Sequence, residues 1–524
     1  MAIFVGSNNN DSKIRDNRVG FAISTSNPSS PDTGDAYYNS TDNKLTVYNG
    51  SDWDSAGGGG TIEMVASGTI HNGATVAVNT DGTVGIVTLT TISTSAGTPV
   101  VFDDTTVTYK SAIYDSTNGK VVIAYRDWDN SNYGTAIVGT VSGTSISFGT
   151  PVVFNTGTTD YISSTYDSAS GKVVIAYRDS GNSNYGTAIV GTVSGTSISF
   201  GSEVVFNSGI TIYVGSTFDS TNGKVVIVYR DQGNSNHGTA RVGTVSGTSI
   251  SFGSEVVFNS ANTQFAQATY DSTNQKVVIV YNDGGNSDHG TAIVGTVSGT
   301  SISFGSEVVF NSAGTTHLSC AYDSTNGKVV TSYNSTNGTA IVGTVSGTSI
   351  SFGTAVVFNT GATYYTSATY DSTEGKVVIA YADGSNSDYG KARVGTVSGT
   401  SISFGTAVVF NSAASNHNTS AYDSTNQKVV IASAVSAGTA VVFTTGGSST
   451  NLTASNFLGF SDAAYSNGAT VKIQIEGSVD DAQSGLTTAA QHYVQPNGTL
   501  STTAGNPSVE AGTAISSTQI IVKG

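Results

Sequence analysis

The sequence predicts an all-β fold, a seven-bladed β-propeller, because one segment recurs seven times, its period is close to 50 residues, and each copy holds four short strand patterns. Tyr114, Tyr166, Phe218, Tyr270, Tyr322, Tyr370 and Tyr422 mark the copies, at gaps of 52, 52, 52, 52, 48 and 52 residues. Six of the copies read Tyr-Asp-Ser here, and the third reads Phe-Asp-Ser.

Residues 1–60 precede the array as a small leader. Asn8-Asn9-Asn10-Asp11 is polar and loop-like, and Pro28 to Gly34 is a turn cluster. Residues 35–39 and 44–48 read as a hairpin closed by Trp53. Gly57 to Gly60 form a flexible joint and the clearest domain boundary. Residues 61–91 carry further strands at 61–66, 74–78 and 84–89, with an Asp81-Gly82 turn, and make a small β connector.

One repeat is clearest over 162–213. Strands are expected at 162–166, 172–178, 185–193 and 197–206, the last broken at Gly201. The run Val173-Val-Ile-Ala-Tyr177 is apolar throughout, which fits a central strand buried on both faces. Residues 92–103 match only a fourth strand, while the last copy supplies strands one to three and ends near residue 443. The front segment is therefore expected to complete the last blade, a 3+1 closure that leaves no exposed edge over 92–445. Residues 446–524 do not repeat. Their short apolar runs at 471–475, 493–494 and 520–522 read as a C-terminal β module, so small modules flank the array at both ends.

Composition narrows the function. Of 524 residues, 63 are glycine and 6 proline, and the hydrophobic share of 37% suits thin sheets with one hydroxylated face. A net charge of −16 repels phosphate backbones and anionic bilayers, so nucleic-acid binding and membrane insertion are not expected. The lone Cys320 permits no disulfide within the chain and reads as a small packed residue. The first residues lack a signal-peptide pattern and no apolar run could span a bilayer, so release by lysis or a dedicated secretion machine is expected.

Comparison among the copies picks out candidate residues. Five positions before each marker stands a ring: Tyr109, Tyr161, Tyr213, Phe265, His317, Tyr365 and His417. On the start of first strands, these rings would gather near one face. There they could cap the core between blades or stack on sugars, and both readings stand. The loop after the second strand repeats Asp127, Asp179, Asp231, Asp283 and Asp383 among Asn and Ser. Its oxygens could ligate calcium, although Asp and Asn are also ordinary turn formers, which is the preferred reading. Trp128 is the large aromatic of such a loop and a contact for a glycan or a neighbouring subunit. No metalloprotease, phosphate-loop or nucleophile-elbow motif is present, so no catalytic residue is assigned. The aspartates that follow the markers recur in all copies and read as structural, and His71 and His492 as surface residues.

The terminal segments add a resemblance. Pro31-Asp-Thr-Gly-Asp-Ala-Tyr-Tyr-Asn39 through Lys44-Leu-Thr-Val-Tyr-Asn-Gly50, with Trp53, resembles a short module of tail-fibre and other structural proteins of tailed bacteriophages. Gly485-Leu-Thr487, Tyr493-Val-Gln-Pro-Asn-Gly-Thr-Leu-Ser501 and Val509-Glu-Ala-Gly-Thr-Ala-Ile515 resemble a terminal β module of marine and cyanobacterial phage proteins. The resemblance implies a virion component, a tail or surface fibre that is a homo-oligomer or present in several copies per particle. Its leader would attach to other virion proteins, and its repeats would bind a host polysaccharide or lipopolysaccharide. A purely architectural platform and a polysaccharide depolymerase are the alternatives.

Overall fold

The computed structural model describes residues 60–523 except 435, together with 14–15, 18–19, 22–27, 29–30, 36–39, 44–48, 50–51 and 53–55. The expected loop at Asn8–Asp11, most of the turn cluster at 28–34, and the glycines at 57–59 lie outside the described residues. The chain divides into two compact units, one of Met1–Ile92 with Ser448–Gly524 and one of Ser93–Gly447.

In the first unit the two flanks interleave rather than forming separate modules. Thr61–Val65, Thr75–Val78 and Val84–Ile86 share one sheet with Phe457–Ser461 and Thr470–Gln474. The last five strands, from Val479–Asp480 to Ile520–Val522, form another sheet. Phe460, Val494, Ala511 and Ile520 are all fully buried in the core. Near the start, Ala36–Asn39 pairs with Lys44–Tyr48, and the Trp53 ring meets Tyr37 edge-on at 5.0 Å. His492 is a correction: it is buried, its Nε2 accepting from the Thr487 amide at 3.2 Å, whereas His71 is exposed.

In the repeat unit each central strand is buried on both faces. Val173, Val174, Ile175, Ala176 and Tyr177 have no exposed surface. Such a strand packs against its neighbour on each side, at about 1.5–3 kcal/mol per buried aliphatic side chain. One cluster, for example, joins Val122 and Ala124 to Val173, Ile175 and Tyr177 of the next unit. The outer edge is split. The third strand, Tyr185–Ser194, pairs along one half with Ser197–Phe200 and along the other with the start of Val204–Asp219.

That split corrects the expected fold class. The sheets are five-stranded rather than four-stranded, and Val152–Asp167 and Val204–Asp219 run unbroken from one unit into the next, so three units share one thirteen-stranded sheet. Among the described residues every sheet path has two open ends, and no ladder closes into a barrel or a propeller of four-stranded blades. The molecule is an all-β repeat architecture of mostly four- and five-stranded antiparallel sheets. Val100–Asp103 and Ser95–Ala96 both pair with Gly438–Thr444 of the last unit.

The break at Gly201 is steric. A Cβ there would lie 1.8 Å from the Thr248 carbonyl oxygen of the next unit. Neither partner is a side chain that can turn away, so Gly201→Ala is expected to destabilise the repeat unit by about 2–4 kcal/mol in urea unfolding.

Side chains also clasp successive units. Tyr166 Oη donates to Thr117 Oγ1 at 2.5 Å, Tyr270 to Thr221 at 2.6 Å, and Tyr114 of the first unit to Thr425 of the seventh at 2.6 Å. One copy departs at both ends: Phe218 stands at the marker position and Ala169 where the corresponding turn of the other copies carries threonine, so both halves of one clasp are missing together. Tyr270→Phe should therefore cost about 1 kcal/mol, with no further loss when Thr221→Ala is added in a double-mutant cycle. The recurring aspartates are structural, as expected from their repetition. Buried Asp219 accepts from the amides of Thr221 and Asn222, each at 3.0 Å, and from Asn222 Nδ2 at 2.8 Å.

Candidate functional site

Each first strand carries a bulge at its ring residue. In the second unit the register jumps from Asp160↔Arg178 to Ser163↔Ala176, leaving one extra residue at Tyr161. All seven ring residues adopt left-handed backbone, with φ of 48° at Tyr109, 51° at Tyr161, 55° at Tyr213, 53° at Phe265, 51° at His317, 51° at Tyr365 and 49° at His417. For bulky side chains this conformation costs about 1–2 kcal/mol each, and such strain gathers at functional sites.

The bulges bring the seven rings into one cluster, each half-buried. Centroids are 5.0 Å apart for Tyr109–Tyr161, 5.5 Å for Tyr161–Tyr213 and 4.8 Å for Tyr213–Phe265. The series continues at 5.6 Å to His317, 5.0 Å to Tyr365 and 4.6 Å to His417, and His417 lies 5.1 Å from Tyr109. Each ring packs edge or tilted against the next, an arrangement that favours aromatic pairs. Two positions beyond five of the rings, with Gly215 and Gln267 in the other two copies, small hydroxyl residues tie neighbouring units together: Ser111 Oγ accepts from the Ser164 amide at 2.8 Å, and Thr419 Oγ1 from the Ala112 amide at 2.9 Å.

Charge is distributed unevenly around this cluster. The guanidinium of Arg126 lies 4.9 Å from the Tyr109 centroid, that of Arg178 4.8 Å from Tyr161, and that of Arg230 4.9 Å from Tyr213. Asp160, 3% exposed, is bonded by both Arg126 and Arg178. Arg230 has no such partner. Its cross-strand neighbour is Ile212, its hydrogen bond goes to Asn262 Oδ1 at 3.3 Å, and among the described residues it makes no ion pair. Further round, Asp288 accepts from Gln264 at 3.4 Å, and Asp388 acts on Tyr365.

A cavity of about 150 Å³ is lined by five of the rings, Tyr109, Tyr161, Tyr213, Phe265 and His417, together with Lys110, Ile162, Val214, Gln267 and Leu318. Lys110 is 7% exposed, and its Nζ donates to the Asn416 carbonyl at 3.0 Å. Burial pulls its ammonium down to about 7. Burial also pulls His317 down to about 4, and burial followed by repulsion from Lys110, Arg126 and His317 pulls His417 down to about 3. Tyr109 is pushed up to about 12, by burial first and then by Tyr161 and Asp160.

Trp128 is 53% exposed and joins the same region, because Arg126 sits 5.4 Å from its ring on the way to Tyr109. The loop aspartates are occupied in turns. Asp179 accepts from the amides of Gly181 and Asn182 at 2.9 and 3.2 Å, and Asp231 from those of Gly233 and Asn234 at 2.9 and 3.2 Å. Asp283 accepts from Gly285 at 3.0 Å, and Asp127 from Asn130 at 3.1 Å. Asp383 accepts from Ser385 at 3.1 Å and pairs with Lys391 at 2.6 Å. No group of three or more His, Cys, Asp or Glu that could hold a metal occurs among the described residues. Nor is any helix there long and apolar enough to cross a membrane.

Arg126, Arg178, Arg230, Asp160 and Lys110 escaped the sequence reading. A signal for the last was present. Lys110 stands alone where the other copies carry Ile162, Val214, Ala266, Leu318, Thr366 and Asn418.

No family model matches the chain, and no curated protein matches it. Among solved structures, the BP39L lectin of Burkholderia pseudomallei is similar at 7% identity and a TM-score of 0.50, over 66% of this chain and 98% of that one. The C-terminal WD40 domain of Sif2 follows at 11% identity and 0.40, over 68% and 98%, and the SapL1 lectin, solved with alpha methyl fucoside, at 15% and 0.37, over 61% and 97%. The likeness concerns the fold alone, and only the first is near enough in shape to bear on it.

Proposed function

We propose that the repeat domain is a non-catalytic glycan-binding module of a virion, part of a tail or surface fibre that holds a polysaccharide of the host envelope. The observation that carries this is the cluster of seven half-buried rings held in strained backbone. Flat rings with low conformational entropy stack well on the apolar faces of sugars. Capping a core would need the rings but not left-handed backbone at each of them. The phage-like terminal segments supply the virion part of the reading, and several copies on one particle would raise weak single contacts to firm adhesion.

The test is binding of the full chain to host polysaccharide and to a glycan array. Tyr161→Ala and Tyr213→Ala are each expected to weaken binding by about 10- to 100-fold. Folded variants with undiminished affinity refute the role of the rings. Tight binding to another virion protein without any glycan binding favours the architectural reading, and release of new reducing ends from polysaccharide favours a depolymerase.

A further inference from the structure

We propose that the cavity lined by five of the rings seats an acidic sugar, a pyranose whose carboxylate meets Lys110, with Arg230, stacked on the lining Tyr213, as a second cation nearby. This rests on the glycan-binding reading and narrows it to a class of ligand.

The chain has only 20 lysines and arginines against 36 acidic residues, yet Lys110, Arg126, Arg178 and Arg230 gather at three neighbouring rings. One carboxylate, Asp160, answers two of the arginines. Lys110 has a single backbone oxygen for its three donors, and Arg230 an amide oxygen at 3.3 Å. A nearly buried cation without a counter-ion is costly to keep, and an incoming anion would supply what the fold withholds. Because burial holds the amine down to about 7, a carboxylate beside it would restore the ammonium and take up a proton.

Shape and chemistry narrow the ligand. The cavity of about 150 Å³ is well below the several hundred of a typical enclosed ligand pocket. It holds one terminal residue or its acidic edge, with the rest of the chain outside. Tyr161 and Tyr213 offer aromatic surface, Gln267 an amide, and Lys110 the charge. A phosphate or sulfate would find the cations but make no use of the rings.

Calorimetric titration of the full chain with a glucuronate oligosaccharide, the matching neutral glucose oligosaccharide and a sulfated one tests this. The acidic ligand should bind at least about 10-fold more tightly than the neutral one, the gain expected of charge-assisted hydrogen bonds. Lys110→Ile should cut the acidic-to-neutral affinity ratio by about 10- to 100-fold, and Arg230→Ala by less. Equal affinity for the acidic and neutral ligands, or an unchanged ratio in Lys110→Ile, overturns the inference and leaves glycan binding intact. Preference for the sulfated ligand over the carboxylate also overturns it, and no binding of any saccharide overturns both readings.

Discussion

Lys110→Ile is expected to make the protein more stable, by on the order of 2–4 kcal/mol at pH 6, seen as a higher urea midpoint or melting temperature. Two effects oppose each other. The substitution removes the hydrogen bond to the Asn416 carbonyl at 3.0 Å, worth about 1 kcal/mol. It also removes a buried cation whose ammonium is pulled from 10.5 down to about 7, and that penalty is larger. Ile162 fills the same position in the second unit, so the site accepts the shape. The sign follows from linkage. Between about 7 and 10.5 the unfolded chain binds more protons than the folded one, so the parent gains stability as pH rises through that window. Below 7 both states are protonated and the penalty is complete. The advantage of Lys110→Ile should thus be constant below pH 7 and shrink toward pH 10.5. A variant no more stable than the parent at pH 6, or an advantage that grows with pH, rules this account out. A residue that weakens its own fold is kept where binding needs it, so the same substitution should give a tougher protein with a poorer grip on acidic sugar.

Much of the repeat was legible because it rests on local patterns. Val173 to Tyr177 reads as a doubly buried strand from composition alone, and Gly201 as a break, and both hold. The gathering of the rings was expected from first strands lining the axis of a closed propeller, a premise that the sheet topology does not keep, and it is the bulge at each ring that the expectation lacked. What failed depends on distant partners. Val204–Asp219 has the residues of two strands and a bend, and only its edge partners decide that hydrogen bonding continues through it. Thr61–Val65 pairs with Thr470–Gln474 across some 400 residues, and two short alternating strands carry no mark of that choice. The clasp was visible in principle, since Phe218 and Ala169 depart from the repeat together. Lys110 leaves no trace in what the copies share, because one copy alone carries a charge at that position.

Acid should loosen the ring cluster through His317 and His417. Burial lowers the first to about 4 and, with Lys110, Arg126 and His317 as further causes, the second to about 3, against 6.5 in an unfolded chain. Both are therefore neutral in the fold at pH 7, packed between rings: His317 against Phe265, Tyr364 and Tyr365, and His417 against Tyr365 and Tyr109. Their folded values lie below the unfolded one, so their contribution is complete above pH 6.5 and is lost as pH falls through 6.5 toward 4 and 3. The pair should account for on the order of 2–4 kcal/mol over that range, half or less of the full linkage value of about 8 kcal/mol because both rings are only partly buried. Asp127, Glu374 and Asp480 have raised values from burial and Asp383 a lowered one, so the parent's acid curve mixes several groups. The double variant His317→Phe with His417→Tyr isolates the histidines, since Phe265 and Tyr365 occupy the same position in neighbouring units with the same left-handed backbone. Its melting temperature should fall much less than the parent's between pH 6.5 and 4. Parallel curves would place the acid sensitivity elsewhere and leave the two histidines as spacers in the ring cluster.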